Sequence, residues 1–126
     1  MSPRIFVLDD EPDLLLALSV RLGAAGFSCE TARDSAEGLE QIRRRSPDLI
    51  ITDLVMPGID GYELLRRLRA DPHTAGIPVI AITALPKPVL DQHAEELHGL
   101  SVIRKPFEFG ELLLTMRKLL DSTRGG

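Results

Sequence analysis

The sequence predicts a doubly wound α/β domain, and three observations carry that prediction. Short runs that are apolar throughout recur along the chain, among them Ile5-Phe6-Val7-Leu8 and Leu49-Ile50-Ile51-Thr52. Strands of that kind are buried on both faces and belong to parallel sheets. Longer stretches with helical periodicity separate them, the alternation expected of βα units. The third observation is size. The 126 residues, 44% hydrophobic and 27% charged, suit one globular domain. At this length about two-thirds of the unfolded surface can be buried without disulfides or a structural metal.

Each element has its own local reason. The run Ile5 to Leu8 is the first strand, and a helix follows from about Pro12 to Leu22, closing at Gly23 to Gly26. Pro12 suits a first helical turn, where a missing N–H costs nothing. Phe27 to Thr31 is the second strand; Ala36 to Arg44 is the second helix, with Asp34 or Ser35 as its N-cap. Leu49 to Thr52 is the third strand, and Asp60 to Ala70 the third helix, with Leu64, Leu65 and Leu68 inward. Pro78 to Ile82 reads as the fourth strand, with proline at its start, where it is tolerated. A fourth helix is expected from about Val89 to Leu97, delayed by Pro86 and Pro88. A short strand, Ser101 to Ile103, and a last helix, Phe107 to Leu120, complete the chain before a polar tail. The expected product is a (βα)5, flavodoxin-like three-layer sandwich with a five-stranded parallel sheet in the order 2-1-3-4-5.

Composition excludes several classes of function. The net charge of −4 disfavours a nucleic-acid-coating role. Trp is absent and Tyr occurs once, so stacking platforms for single strands are poorly supplied. No apolar run approaches the roughly 18 residues that span a bilayer. A strand begins almost at once with no leader, so the expected location is the cytoplasm. The lone Cys29 cannot make an internal disulfide and reads as a small core hydrophobe.

Ligand sites in such folds lie at the carboxyl ends of the strands. There the sequence places Asp9 and Asp10, then Asp53, Thr83 and Lys105. One Asp after a strand is usually a cap or turn former. Convergence of several changes that reading. Two like charges about 4 Å apart repel by roughly 4 kcal/mol at an effective dielectric near 20. Either some are protonated or a cation sits among them, and an all-oxygen site selects a hard ion such as Mg²⁺. Thr83 and Lys105 would add a hydroxyl donor and a cation for phosphoryl oxygens. With Asp53 as nucleophile, the product is an aspartyl phosphate.

Four motifs then carry a resemblance: Val7-Leu8-Asp9-Asp10-Glu11, Asp53 to Gly61, Ile77 to Ala84, and Arg104-Lys105-Pro106-Phe107. In order and at strand ends, over about residues 3–121, they resemble the receiver domain of two-component response regulators. The resemblance implies a receiver domain over 1–121 and a flexible tail over 122–126. It makes Asp53 the phosphoacceptor and assigns Mg²⁺ to Asp10, Asp53, the Val55 carbonyl and, largely through water, Asp9. Thr83 and Lys105 would contact the phosphoryl group, and the Lys105–Pro106 bond would be cis. The implied donor is a histidine kinase or histidine phosphotransfer protein. A downstream protein would bind the face formed by the fourth helix, fifth strand and last helix. No direct nucleic-acid or membrane partner is implied, and the chain would be a monomer or weak homodimer.

Two positions depart from the family pattern. Val102 stands where receivers usually carry Tyr or Phe, and the loop after Thr83 holds two prolines. Val55 and Leu85, which should flank the phosphate, cannot orient an attacking water, so a persistent phospho-form is expected. The three histidines, His73, His93 and His98, read as surface residues; the arginine clusters at 43–45 and 66–69 read as helix C-terminal charges.

The leading expectation is thus a phosphorylation-dependent signalling switch. It is not an enzyme beyond phosphoryl transfer to its own Asp53 and slow autodephosphorylation. One alternative is an aspartate-nucleophile phosphohydrolase, which wants a second Asp two residues after the nucleophile; Val55 occupies that place. Another is an excised receiver module of a larger regulator or hybrid kinase. A degenerate scaffold would lack one of the site residues, and none is lacking.

Overall fold

The computed structural model of the chain describes residues 2–125. Five strands, β1 (Arg4–Leu8), β2 (Ser28–Ala32), β3 (Leu49–Asp53), β4 (Val79–Thr83) and β5 (Ser101–Arg104), form one sheet. Their order is β2-β1-β3-β4-β5 and every pairing is parallel, as the alternation of elements predicts. The period-2 pleat sorts the strand residues onto two faces. Ile5, Val7, Leu49, Ile51, Ile80, Ile82 and Ile103 pack against Leu15, Leu18 and Leu22 of α1 (Pro12–Ala24) and Leu112 and Met116 of α6 (Phe109–Gly125). Phe6, Leu8, Ile50 and Ala81 face the other way, onto α2 (Ser35–Arg44), α3 (Gly61–Ala70) and Leu90 of α4 (Lys87–Asp91).

Local chemistry sets the helix starts. Pro12 occupies the first turn of α1. Asp34, not Ser35, caps α2, its Oδ1 accepting from the N–H groups of Ala36 and Glu37 at 2.9 and 3.1 Å. Ser35 is instead buried and donates its hydroxyl to Ile59 O at 2.6 Å, tying α2 to the loop after β3. That loop needs glycine twice. Gly58 has φ +102°, and a Cβ on Gly61 would lie 2.3 Å from Leu54 O.

The fourth helix corrects two expectations. Pro86 and Pro88 do not delay it. It begins at Lys87, because Pro88 falls in the first turn, where no N–H is required. Nor is it continuous to Leu97. It breaks into α4 and a one-turn α5 (Ala94–Leu97), with His93 non-helical at φ −118°, ψ 32°. The break lays the His93 ring on Tyr62 of α3, with centroids 3.7 Å apart and planes within 10°. His93 is therefore half-buried and not a free surface histidine; His73 and His98 are exposed.

The last helix starts two residues later than Phe107 and stays helical to Gly125, past the expected end at Leu120. No proline follows Leu120 to stop it. The residues expected to form the tail are thus helical as far as Gly125; Gly126 lies outside the described residues. Phe27 falls just outside β2 yet still packs on the α1 side, as does half-buried Cys29. Burial pushes the Cys29 thiol pKa up, which fits a core hydrophobe.

Candidate acidic phosphoryl site

Parallel pairing brings the strand ends to one edge of the sheet. Leu8 stands opposite Thr52, Asp53 opposite Ile82, and Thr83 opposite Arg104. Asp9, Asp53, Thr83 and Lys105 consequently meet from four different strands. Asp9 and Thr83 are fully buried and Asp53 nearly so, whereas Asp10 faces solvent. Carboxylate oxygens from Asp9, Asp10 and Asp53 lie within 4.8 Å of one another.

Lys105 is the counter-charge. Its Nζ donates to Asp9 Oδ2 at 2.8 Å, Asp53 Oδ2 at 2.9 Å and Glu11 Oε1 at 3.2 Å. Its backbone N–H donates to Thr83 O at 2.7 Å, and the Lys105–Pro106 peptide is cis. The remaining oxygens of the two buried acids are held by the backbone. Asp9 Oδ1 accepts from Glu11 N–H at 2.9 Å, and Asp53 Oδ1 accepts from Val55 N–H at 3.1 Å.

These contacts set the titration. Burial raises the Asp9 pKa above the usual carboxylate value, against the hydrogen bonds from Lys105 and Glu11 that lower it. Burial alone would lower Lys105, but the hydrogen bonds to Asp9 and Asp53 outweigh it and hold the ammonium well above the ordinary lysine range. Lys105 is therefore a permanent cation in the pocket.

An all-oxygen set with one exposed carboxylate and two buried ones suits a hard divalent cation. Thr83 is close by, but its hydroxyl oxygen accepts from Leu85 N–H at 3.0 Å, the local turn bond of a Ser/Thr residue. Side-chain contact thus joins Asp9, Asp53 and Lys105, and Asp10 stands beside them. Thr83 joins through its backbone. Glu11 was missed by the sequence argument as a partner of Lys105. Its place next to the acidic pair was the available signal, but the contact spans 94 residues of chain.

Around the site, Val55 is 59% exposed, and Leu85 packs on the α3 face of the core. Val102 pairs with Ala81 in the sheet and remains 36% exposed, so it fills little of that face.

Fold and site together define a doubly wound α/β domain with a lysine-anchored acidic pocket at the strand ends. The chain belongs to the response regulator receiver domain family, whose model matches residues 5–117. It is 36% identical over 126 residues to the DNA-binding dual master transcriptional regulator RpaA of Synechocystis sp., covering 96% of this chain and 50% of that protein. It is 35% identical to the phosphate regulon transcriptional regulatory protein PhoB of Rhizobium meliloti, covering 95% and 53%. The chain spans about half the length of these curated relatives. Among solved structures, the receiver domain of a signal transduction histidine kinase from Syntrophus aciditrophicus superposes with a TM-score of 0.89 at 31% identity, covering 96% of this chain and 92% of that one. Chemotaxis protein CheY4 of Vibrio cholerae gives 0.85 at 26% identity, covering 94% and 99%. The chain is a receiver domain of the two-component type. No helix among the described residues is long and apolar enough to cross a membrane.

Proposed function

We propose that this domain is a phosphorylation-controlled switch that takes a phosphoryl group onto Asp53 from a phosphohistidine donor. The observation that carries the proposal is Lys105 Nζ seated 2.9 Å from Asp53 Oδ2 inside the three-carboxylate cluster. An Asp53 oxygen attacks phosphorus, the P–N bond to the donor imidazole breaks, and the electron pair leaves with that nitrogen, which takes up a proton. Lys105 and the Thr83 hydroxyl, turned from Leu85, then hold phosphoryl oxygens.

Asp10, Asp53, the Val55 carbonyl and, through water, Asp9 would hold Mg²⁺, which when bound supplies charge neutralisation for an incoming dianion. Without a divalent ion, the clustered carboxylates repel that dianion. The domain is not a turnover enzyme; it modifies its own Asp53 and loses the phosphate slowly. A phosphohydrolase would want an acid two residues after Asp53, where Val55 stands.

Receiver domains work with histidine kinases and downstream effectors, which are the partners we assign, in the cytoplasm. Because the relatives named as DNA-binding or transcriptional regulators are about twice as long, this receiver reads as the regulatory part of such a protein or as a stand-alone domain. The test is incubation with acetyl phosphate and Mg²⁺ followed by mass spectrometry. One phosphate on Asp53 is expected, none on Asp53→Asn and none in excess EDTA. Equal labelling of Asp53→Asn, or undiminished labelling in EDTA, overturns the reading. Sustained release of phosphate from small phosphate esters would favour the hydrolase.

A further inference from the structure

The Lys105 side chain has three ammonium protons and no other donor. Three carboxylates take them: Asp9, Asp53 and Glu11. A phosphoryl oxygen arriving at Asp53 needs one of those protons, so one acid must let go. The three acids differ in what release costs. Asp9 has a side chain that is 0% exposed, and losing Lys105 would strand a carboxylate inside the protein. Asp53 is the group being modified and keeps its negative charge until the P–O bond forms, so it still holds the lysine as the phosphoryl oxygen arrives. The Glu11 side chain is 61% exposed, so its carboxylate passes to water at little cost.

We infer that Glu11 is the exchangeable partner of Lys105, holding the ammonium saturated in the resting domain and giving up its place to a phosphoryl oxygen. This rests on Asp53 being the phosphoryl acceptor. Space for the exchange exists. Glu11 and Lys105 line a groove of about 620 Å³ that continues past Leu14 and Phe107, room for the freed carboxylate to turn into water. Among the described residues nothing else holds the Glu11 carboxylate in place. Glu11 sits at the N-cap of α1 with no side-chain capping bond. Glu11 is accordingly a positioning residue: it sets how readily Lys105 turns to the incoming group and does not itself touch phosphorus.

Position 11 allows a clean test. Glu11→Gln keeps length and removes charge. Glu11→Asp keeps charge, but aspartate is a preferred N-cap, so its shorter carboxylate is drawn to the free N–H groups of α1 and away from Lys105. Glu108→Gln is the control for charge, since that exposed acid lines the same groove without touching Lys105. Affinity for fluoroberyllate, a phosphoryl mimic, is measured by fluorine NMR at saturating Mg²⁺. Both Glu11 variants should bind about 1.5- to 5-fold more tightly than wild type, the worth of one exposed ion pair. Glu108→Gln should match wild type. Unchanged or weaker binding by the Glu11 variants overturns the exchange, as does a gain confined to Glu11→Gln or shared by Glu108→Gln, which would be a plain charge effect. Failure of wild type to bind, or equal binding by Asp53→Asn, would overturn the acceptor reading itself.

Discussion

Replacing Lys105 with Met should destabilise the domain most at neutral pH and least in acid. The substitution keeps a long apolar stem and removes the cation that, among the described residues, alone touches Asp9 and Asp53. Both carboxylates then keep one backbone N–H each and lose their counter-charge, at 0% and 9% side-chain exposure. Removing one partner of a buried ion pair costs about 3–5 kcal/mol. Oxygens of the acidic cluster within 4.8 Å add repulsion of about 3.5 kcal/mol per fully ionised pair at an effective dielectric near 20. Protonation of Asp9 and the solvent at Asp10 relieve part of this, so a net loss of about 2–3 kcal/mol is expected in metal-free buffer at pH 7.5. The sign with pH follows from the two shifted groups. The Lys105 pKa is raised on folding, so its own contribution is fully present below its unfolded value of 10.5 and fades only in strong alkali. The Asp9 pKa is also raised, chiefly by burial, so its ionisation opposes folding as pH climbs from the unfolded value of 3.8. Loss of Lys105 raises it further, and the deficit of the variant should shrink as pH falls towards 4. Urea unfolding at a series of pH values, with and without Mg²⁺, measures this. A loss under about 0.5 kcal/mol at pH 7.5, the scatter of ordinary surface substitutions, would refute the reasoning. So would a deficit that grows in acid.

Tyr62→Phe should stabilise the fold by about 1 kcal/mol, because the Tyr62 hydroxyl is buried with no hydrogen-bond partner among the described residues. A melting temperature higher by about 4 °C is expected, and a lower one would show that the hydroxyl has an unseen role. Val55→Asn should hasten loss of phosphate from Asp53 severalfold. The exposed side chain two residues past the acceptor would then carry an amide able to orient water. Decay of the phospho-form followed by phosphate release tests it, and an unchanged or slower rate counts against it.

Much of this arrangement was legible in the chain itself because it depends on local pattern. Runs such as Ile50-Ile51 and Ile80-Ala81-Ile82 are apolar on both faces and, short and alternating with helical stretches, read as inner strands of a parallel sheet. Once the strands were placed, Asp9, Asp53, Thr83 and Lys105 fell at their carboxyl ends, where the winding of the fold gathers ligand groups. Periodicity is silent about which distant side chains touch. The break at His93 goes with a ring stacked on Tyr62, 31 residues earlier, and no signal within the helix announces it. The same holds for the site. Lys105 reaches back 96, 94 and 52 residues to Asp9, Glu11 and Asp53, and the Thr83 hydroxyl is turned towards Leu85. Sequence by itself determined the winding of the sheet and the chemical types at its edge. Tertiary structure alone decided how the three protons of Lys105 are shared, because that depends on desolvation and reach between residues that only folding brings together.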